Sequence, residues 1–455
     1  MSKISFSEFE PIVSKQWKQQ IQFDLKGADY NETLLWESPE GIKIKPFYHI
    51  DEFEKSSQNI LKQKPFEIIQ NIFVHDVEKS VKRTLDVLHR GAESIRFTIE
   101  NEQISFENLF QSLPKTIPYY VHLPFLSETY VNQMELFNQK HGFQLHLILD
   151  PIEQLMSDGN WYVSLEHDFQ MLNQINQSTK SFGFITIKNQ HFQNAGANMV
   201  QQLAYSLAHL NEYLNRIKQL NSPILIEIAV GSHYFFEIAK IKALRWLVQT
   251  LLDEYEISVP FKILVTPTKR NKTIYDYNVN MLRTTTECMS GILGGADGIC
   301  NLPYDALYHK DNEFGDRIAR NQLLILKHES YLDKNLNPTE GAYFIENITE
   351  QLAEKALQLF KDIEKGGGLI TQLIEGTIQR KIQESAQKEQ DLFDSGKEVL
   401  IGTNKHPNLN DRMKDDLELY PFMKKKTRKT LITPIIEKRL AEKMEQERLK
   451  NEENE

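Results

Sequence analysis

Short runs rich in β-branched and aromatic residues recur along this chain. Each is followed by a longer stretch with helical periodicity, and this alternation restricts the fold more than any other feature. Strand-sized runs lie at Ser94 to Ile99, Tyr119 to Leu123, Phe143 to Leu149, Phe182 to Lys188, Ile224 to Ala229 and Phe261 to Val265. Amphipathic stretches at Glu128 to Lys140, Ala197 to Lys218, Tyr234 to Asp253 and Tyr275 to Leu293 are long enough to cross back over a sheet. Strands alternating with such helices describe parallel β-α units. Two further strands, around Gly298 to Asn301 and Ala342 to Glu346, bring the count to about eight, the number that closes a (β/α)8 TIM barrel. The pattern by itself also admits an open, doubly wound α/β sheet.

Three segments follow from this reading. Residues 1–64 carry a helix from Phe6 to Leu25 and an extended N-terminal arm from Leu34 to Tyr48, interrupted by Pro39, Gly41 and Pro46. Residues 65–405 carry the barrel. Its last part is helical at Thr349 to Glu364 and Leu369 to Glu389, with Gly366, Gly367 and Gly368 as a helix C-cap and turn. Residues 406–455 form a linker and a charged helical tail, with Thr433 as N-cap, Pro434 as first helical residue, and Ile436, Leu440 and Met444 on one face. Asn451 to Glu455 are expected to fray. Trp17 to Tyr48 and Pro434 to Leu449 show apolar residues without an obvious intrachain partner. They are the segments expected to meet another chain, with packing on their own barrel as the alternative.

Composition removes several classes of function. Acidic residues number 63 against 53 Lys plus Arg, a formal charge of -10, so the chain as a whole makes no electrostatic case for nucleic acid or an anionic membrane. No run approaches 18 apolar residues and Met1 to Glu10 lacks a leader pattern, so a cytoplasmic protein is expected. The two cysteines, Cys288 and Cys300, form neither a CxxC pair nor a zinc-spaced cluster. The glycine cluster matches no phosphate or dinucleotide loop, and HExxH, GxSxG and EF-hand patterns are missing.

Three positions at strand ends merit attention, because barrel enzymes keep their chemistry there. Cys300 stands at the carboxyl end of the strand near Gly298, either as a nucleophile or as a small buried hydrophobe. His191 follows the run ending at Lys188, where it would donate to a ligand carbonyl or satisfy loop backbone. His233, Tyr234 and Phe235 follow the run ending at Ala229, facing either ligand or core.

Several blocks resemble the barrel half of the adenosylcobalamin-dependent methylmalonyl-CoA mutases. Leu34-Leu35-Trp36-Glu37-Ser38-Pro39-Glu40-Gly41-Ile42, then Pro46-Phe47-Tyr48, is similar to the family's L-x-W-x-T-x-E-G-I and P-L-Y. Pro65 to Gln70 resembles P-W-T-I-R-Q. Further similar blocks are His191 to Gly196, Gly231 to Lys240, Asn280 to Glu287 (N-x-x-R-T-T-x-E), Gly294-Gly295, Arg317 to Gln322, Asn337 to Thr349 and Asp362 to Gly367. They run in family order from about residue 17 to residue 404, and they imply the TIM barrel rather than the open sheet. On the resemblance, Gln70, His191, Gln193 and Arg283 are remnants of a substrate-binding set.

The departures from the pattern imply a changed role. The family's substrate tyrosine is replaced by Asn71, the histidine of T-Q-S-L-H-T-N by Cys300, and the carboxylate-binding arginine falls near Pro223. The D-x-H-x-x-G motif that supplies the lower cobalt ligand is missing, and about 50 residues follow Asn404, too few for a cobalamin domain. The resemblance therefore implies a chain without catalytic residues of its own. It resembles the family's small, non-catalytic subunits, with adenosylcobalamin in a larger partner chain and none bound here. Two alternatives are an active acyl-CoA mutase barrel that receives cobalamin from a separate small chain, and an acyl-CoA-binding protein without chemistry. An occluded barrel is expected under the first reading, with Phe97, Leu147, Phe184, Ile226 and Leu264 as candidates for its interior.

Overall fold

Eight parallel strands close on one another in chain order. They are β1 (Glu67–Val74), β2 (Ser94–Ile99), β3 (Pro118–His122), β4 (Gln144–Leu149), β5 (Gly183–Lys188), β6 (Ile224–Val230), β7 (Phe261–Pro267) and β8 (Gly298–Ile299). The computed structural model describes residues 10–53, 65–220, 222–423 and 428–454. β8 pairs with both β7 and β1, which completes the (β/α)8 TIM barrel. Helices wrap the outside, and polar caps start several of them just after a strand or loop. Asp76, Ser127, Asp150, Ser164 and Asn198 each accept a backbone N–H of the helix that follows.

The expected strand around Ala342 to Glu346 is instead the start of a helix, Tyr343–Lys365, and the count of eight is completed by β1. Every strand end named from the sequence therefore moves up one place in barrel order. His191 follows β5, His233 follows β6 and Cys300 follows β8.

Both faces of a barrel strand are buried, so apolar character does not tell inside from outside. Phe97, Leu147 and Ile226, expected in the interior, point outward into the layer between sheet and helices. Phe97 packs there against Phe110 and Tyr119. Of the five expected residues Leu264 faces the axis. The Phe184 side chain lies outside the described residues.

The arm packs on the chain's own barrel. Trp36–Glu37 pairs with Lys43–Ile44 in a small antiparallel hairpin, whose Ile42 is fully buried. Tyr48 and Phe53 lie against Phe344 and Tyr343. The preceding helix, Ser14–Asp24, buries no residue, and Trp17 and Phe23 are 50% and 78% exposed. Its expected start at Phe6 lies outside the described residues.

The C-terminal tail differs from expectation. Pro434 does not begin a helix: the segment from Arg428 runs irregularly over the barrel, and the last helix is Glu442–Asn454. Glu452 is buried and accepts the backbone N–H groups of Met413 and Lys414 at 2.9 and 3.1 Å. Glu455 lies outside the described residues.

Candidate functional site

The axis of the barrel holds polar and apolar side chains in alternating heights. Glu67 on β1, Tyr120 on β3 and Lys262 on β7 meet near the amino end. Lys262 Nζ donates to Glu67 at 2.7 Å and to the Tyr120 hydroxyl at 3.1 Å, and that hydroxyl donates to Glu67 at 2.8 Å. Above them Ile69, Tyr120, Ile148, Leu225, Leu264 and Cys300 form a buried apolar cluster, separate from the core outside the sheet. Higher still, Arg96 on β2 donates through Nε and Nη2 to the two carboxylate oxygens of Glu227 on β6, at 2.7 and 3.0 Å.

Strands two and six stand opposite each other in an eight-stranded barrel, so this bidentate pair spans the axis. Burial opposes charge on Glu227, but the guanidinium outweighs it and holds the carboxyl below its ordinary value. Glu227 in turn raises Arg96 despite its own burial.

A cavity opens at each end, and the two share no lining residue. The amino-end cavity, about 1210 Å³, is lined by Tyr120, His146, Lys180, Lys218, Pro223 and Lys262, among others. His146 is pushed down to about 4, chiefly by burial, and its Nε2 lies 3.2 Å from Thr186 Oγ1. The carboxyl-end cavity is smaller, about 250 Å³, and is lined by Asn71, Arg96, Lys188, His191, Lys269 and Glu437, among others.

The tail roofs this second cavity. Glu437 accepts from Asn194 Nδ2 at 2.9 Å and from Lys269 Nζ at 3.2 Å, and its Oε1 lies 3.5 Å from His191 Nδ1. His191 Nε2 donates to the Ile435 carbonyl. Burial alone would lower the imidazole's pKa, yet Glu437 and the carbonyl raise it. Burial likewise disfavours the Glu437 carboxylate, which Lys269 and His191 bring well below its ordinary range. Behind the loop, buried Asp150 accepts from His209, Tyr213 and the Lys188 backbone N–H, fixing the β5 end that presents Lys188 and His191.

The residues singled out in the sequence do not converge on one place. Asn71 and His191 line the carboxyl-end cavity and Pro223 the amino-end one. Cys300 lies in the apolar cluster on the axis, its thiol pushed up to about 12 by burial, surroundings that disfavour the thiolate. Gln70 faces the helix layer and accepts from Arg320 at 3.0 Å. Gln193 joins a buried network with Glu237 and Lys240. Arg283 bonds Thr273, Asn280 and the Ile401 carbonyl, outside the barrel. His233 is stacked with Trp36 of the arm.

The residues that shape the site, Arg96, Glu227, Lys188, Lys269 and Glu437, were not singled out. For the first two a signal existed, a lone charge in the middle of an otherwise apolar strand.

Among the described residues no cluster of His, Cys, Asp or Glu could hold a metal, and no helix is long and apolar enough to cross a membrane. No histidine in this sequence stands in a D-x-H-x-x-G motif, and the tail lies over the barrel's carboxyl face.

The geometry defines a closed (β/α)8 barrel with the axis crossed by side chains. The family model for methylmalonyl-CoA mutase matches residues 136–452, and the chain belongs to that family. It is 30% identical to the methylmalonyl-CoA mutase small subunit of Porphyromonas gingivalis, over 91% of this chain and 73% of that one. It is 32% and 33% identical to the methylmalonyl-CoA mutases of Cereibacter sphaeroides and Rhizobium meliloti, over 50% and 52% of this chain. It matches only 33% and 35% of the length of those two relatives.

Proposed function

We propose that this chain is the small, non-catalytic subunit of a heterodimeric, adenosylcobalamin-dependent methylmalonyl-CoA mutase, which interconverts methylmalonyl-CoA and succinyl-CoA. In this reading the chain supports a larger catalytic subunit that carries the cobalamin. The observation that carries it is the Arg96–Glu227 pair across the axis. Radical rearrangement of a thioester needs a cavity that holds the acyl group under the cofactor and excludes water. An ion pair across the axis and a carboxyl-end cavity of only about 250 Å³ beneath the chain's own tail support a barrel that does not hold such a substrate. Asn71 and Cys300, in place of the family's tyrosine and histidine, support the same reading, as does the small-subunit name of the Porphyromonas relative.

The test is a mild affinity purification of the full chain from its source cells. The mass and sequence of whatever co-purifies in one-to-one amount are then determined. A partner of barrel-plus-cobalamin size is expected. A partner of cobalamin-domain size alone would overturn the proposal in favour of an active barrel.

A further inference from the structure

The tail is fastened to the carboxyl mouth at many points along its length. Arg428 bonds Asp158 at the rim. The Gly159 carbonyl accepts from the Leu431 and Ile432 N–H groups at 3.0 and 3.1 Å, and the Met156 carbonyl from Ile435 at 2.8 Å. Further on, Lys438 N–H donates to the Asn194 carbonyl, Arg270 donates to the Lys438 carbonyl at 2.7 Å, and Leu440 N–H donates to the Arg270 carbonyl. Ile432, Ile435 and Leu440 are buried. A Cβ on Gly159 would meet Ile432 O, Pro434 Cγ and Thr430 Cβ, all under 3.0 Å, so the tail lies directly on the backbone there.

Within this seat Glu437 is the carboxylate that lines the cavity, while the buried cation of the same segment, Arg439, is paired with Glu445. The cations that face Glu437 are Lys269 and His191, and Lys188 lines the same cavity. Lys188 is engaged by Glu153 at 3.2 Å and Arg96 by Glu227, so without Glu437 two cationic groups would lack a carboxylate partner. Asn194 Nδ2 would lose its acceptor as well.

We infer that the segment from Arg428 to Ala441 is a resident plug of the barrel mouth, with the Glu437 carboxylate occupying a site that otherwise takes a small external carboxylate. This deepens the non-catalytic reading and rests on it, since a working barrel would need this mouth open.

The experiment is chemical rescue. Glu437→Ala removes the internal carboxylate and leaves His191, Asn194 and Lys269 in place. Thermal unfolding of the full chain is followed against formate, acetate and succinate, with chloride at equal ionic strength as control. A saturable rise in Tm of several degrees is expected for the variant with carboxylates, and none for the wild type. Equal stabilisation of both proteins, or no carboxylate-specific rise in the folded variant, would overturn the inference.

Should Glu437→Ala not fold, Arg428→Ala loosens only the solvent-side anchor. There succinate should speed hydrogen exchange of residues 429–440 at least several-fold by competing with Glu437, and unchanged exchange would overturn the inference. A failure to find a partner subunit would leave the rescue result standing. A failure of rescue would leave the partner subunit standing.

Discussion

Arg96 and Glu227 are 131 residues apart in the chain and meet across the barrel axis in a bidentate pair of 2.7 and 3.0 Å. Removing the guanidinium strands a carboxylate that is 2% exposed. Arg96→Met should therefore cost about 3–5 kcal/mol, while Arg96→Met with Glu227→Leu, which deletes both charges, should recover most of it. Urea unfolding of the three proteins measures this. A single-variant cost below about 1 kcal/mol would mean that the pair is screened by water and the axis is wet.

His146 gives the fold a sensitivity to mild acid. Its folded value of about 4 lies below the ordinary imidazole value, so the unfolded chain takes up the proton first as pH falls. The stability from keeping this ring neutral is present above about pH 6.5 and is lost progressively down to pH 4, by at most roughly 3 kcal/mol. His146→Gln should flatten the stability profile in that window. Parallel profiles for the two proteins would remove the assignment.

The Glu437–His191 contact has its own window. Glu437 is depressed, so its contribution is present above the ordinary carboxylate value and lost as pH falls through the folded one. His191 is raised, so its contribution is full below the ordinary imidazole value and fades as pH rises through the folded one. The stability difference between wild type and Glu437→Gln should form a plateau from about pH 4.5 to 6.5 and decline above it. A difference that grows above pH 7 would contradict the pairing.

Gly298 makes room on the axis for the apolar cluster. A Cβ there would meet Ile69 Cδ1 at 2.7 Å and Leu264 Cδ2 at 2.8 Å. Gly298→Ala should destabilise the barrel by about 1–3 kcal/mol through overpacking. Gly298→Ala with Ile69→Val should recover part of the loss, which denaturant midpoints will show.

Both thiols are buried and raised by that burial. Neither should react with an aromatic disulfide reagent at pH 8 in the native protein, and both should react in urea. Rapid native labelling of Cys300 would show that the axis is open to solvent.

The sequence was legible where a barrel strand looks like a strand. Six of the eight runs were recognised by β-branched density, and the two-residue β8 was recognised less directly. β1 escaped because Glu67, Gln70 and Asn71 break its apolar run, and the physical reason lies in the barrel itself. Glu67 is satisfied inside by Lys262 and Tyr120, a partnership between strands far apart in the chain. Tyr343-Phe344-Ile345 resembled a strand, but the periodicity that continues to Lys365 makes it one face of a helix. The tail misled for a related reason. Pro434 suits the first turn of a helix, yet the mouth offers Ile435, Lys438 and Leu440 backbone partners that a helix would not reach. Interior charge pairs and a docked tail depend on who is opposite, and local pattern carries no record of that.

The contact between His191 and the Ile435 carbonyl closes a loop of 244 residues. During synthesis from the N-terminus the strands of the barrel emerge first, and the segment that roofs them follows only after all eight have left the ribosome. Until that segment emerges the nascent barrel therefore has a bare mouth, with Lys188, His191 and Lys269 not yet covered. Closing that roof is a long-range step that has to wait for the barrel strands.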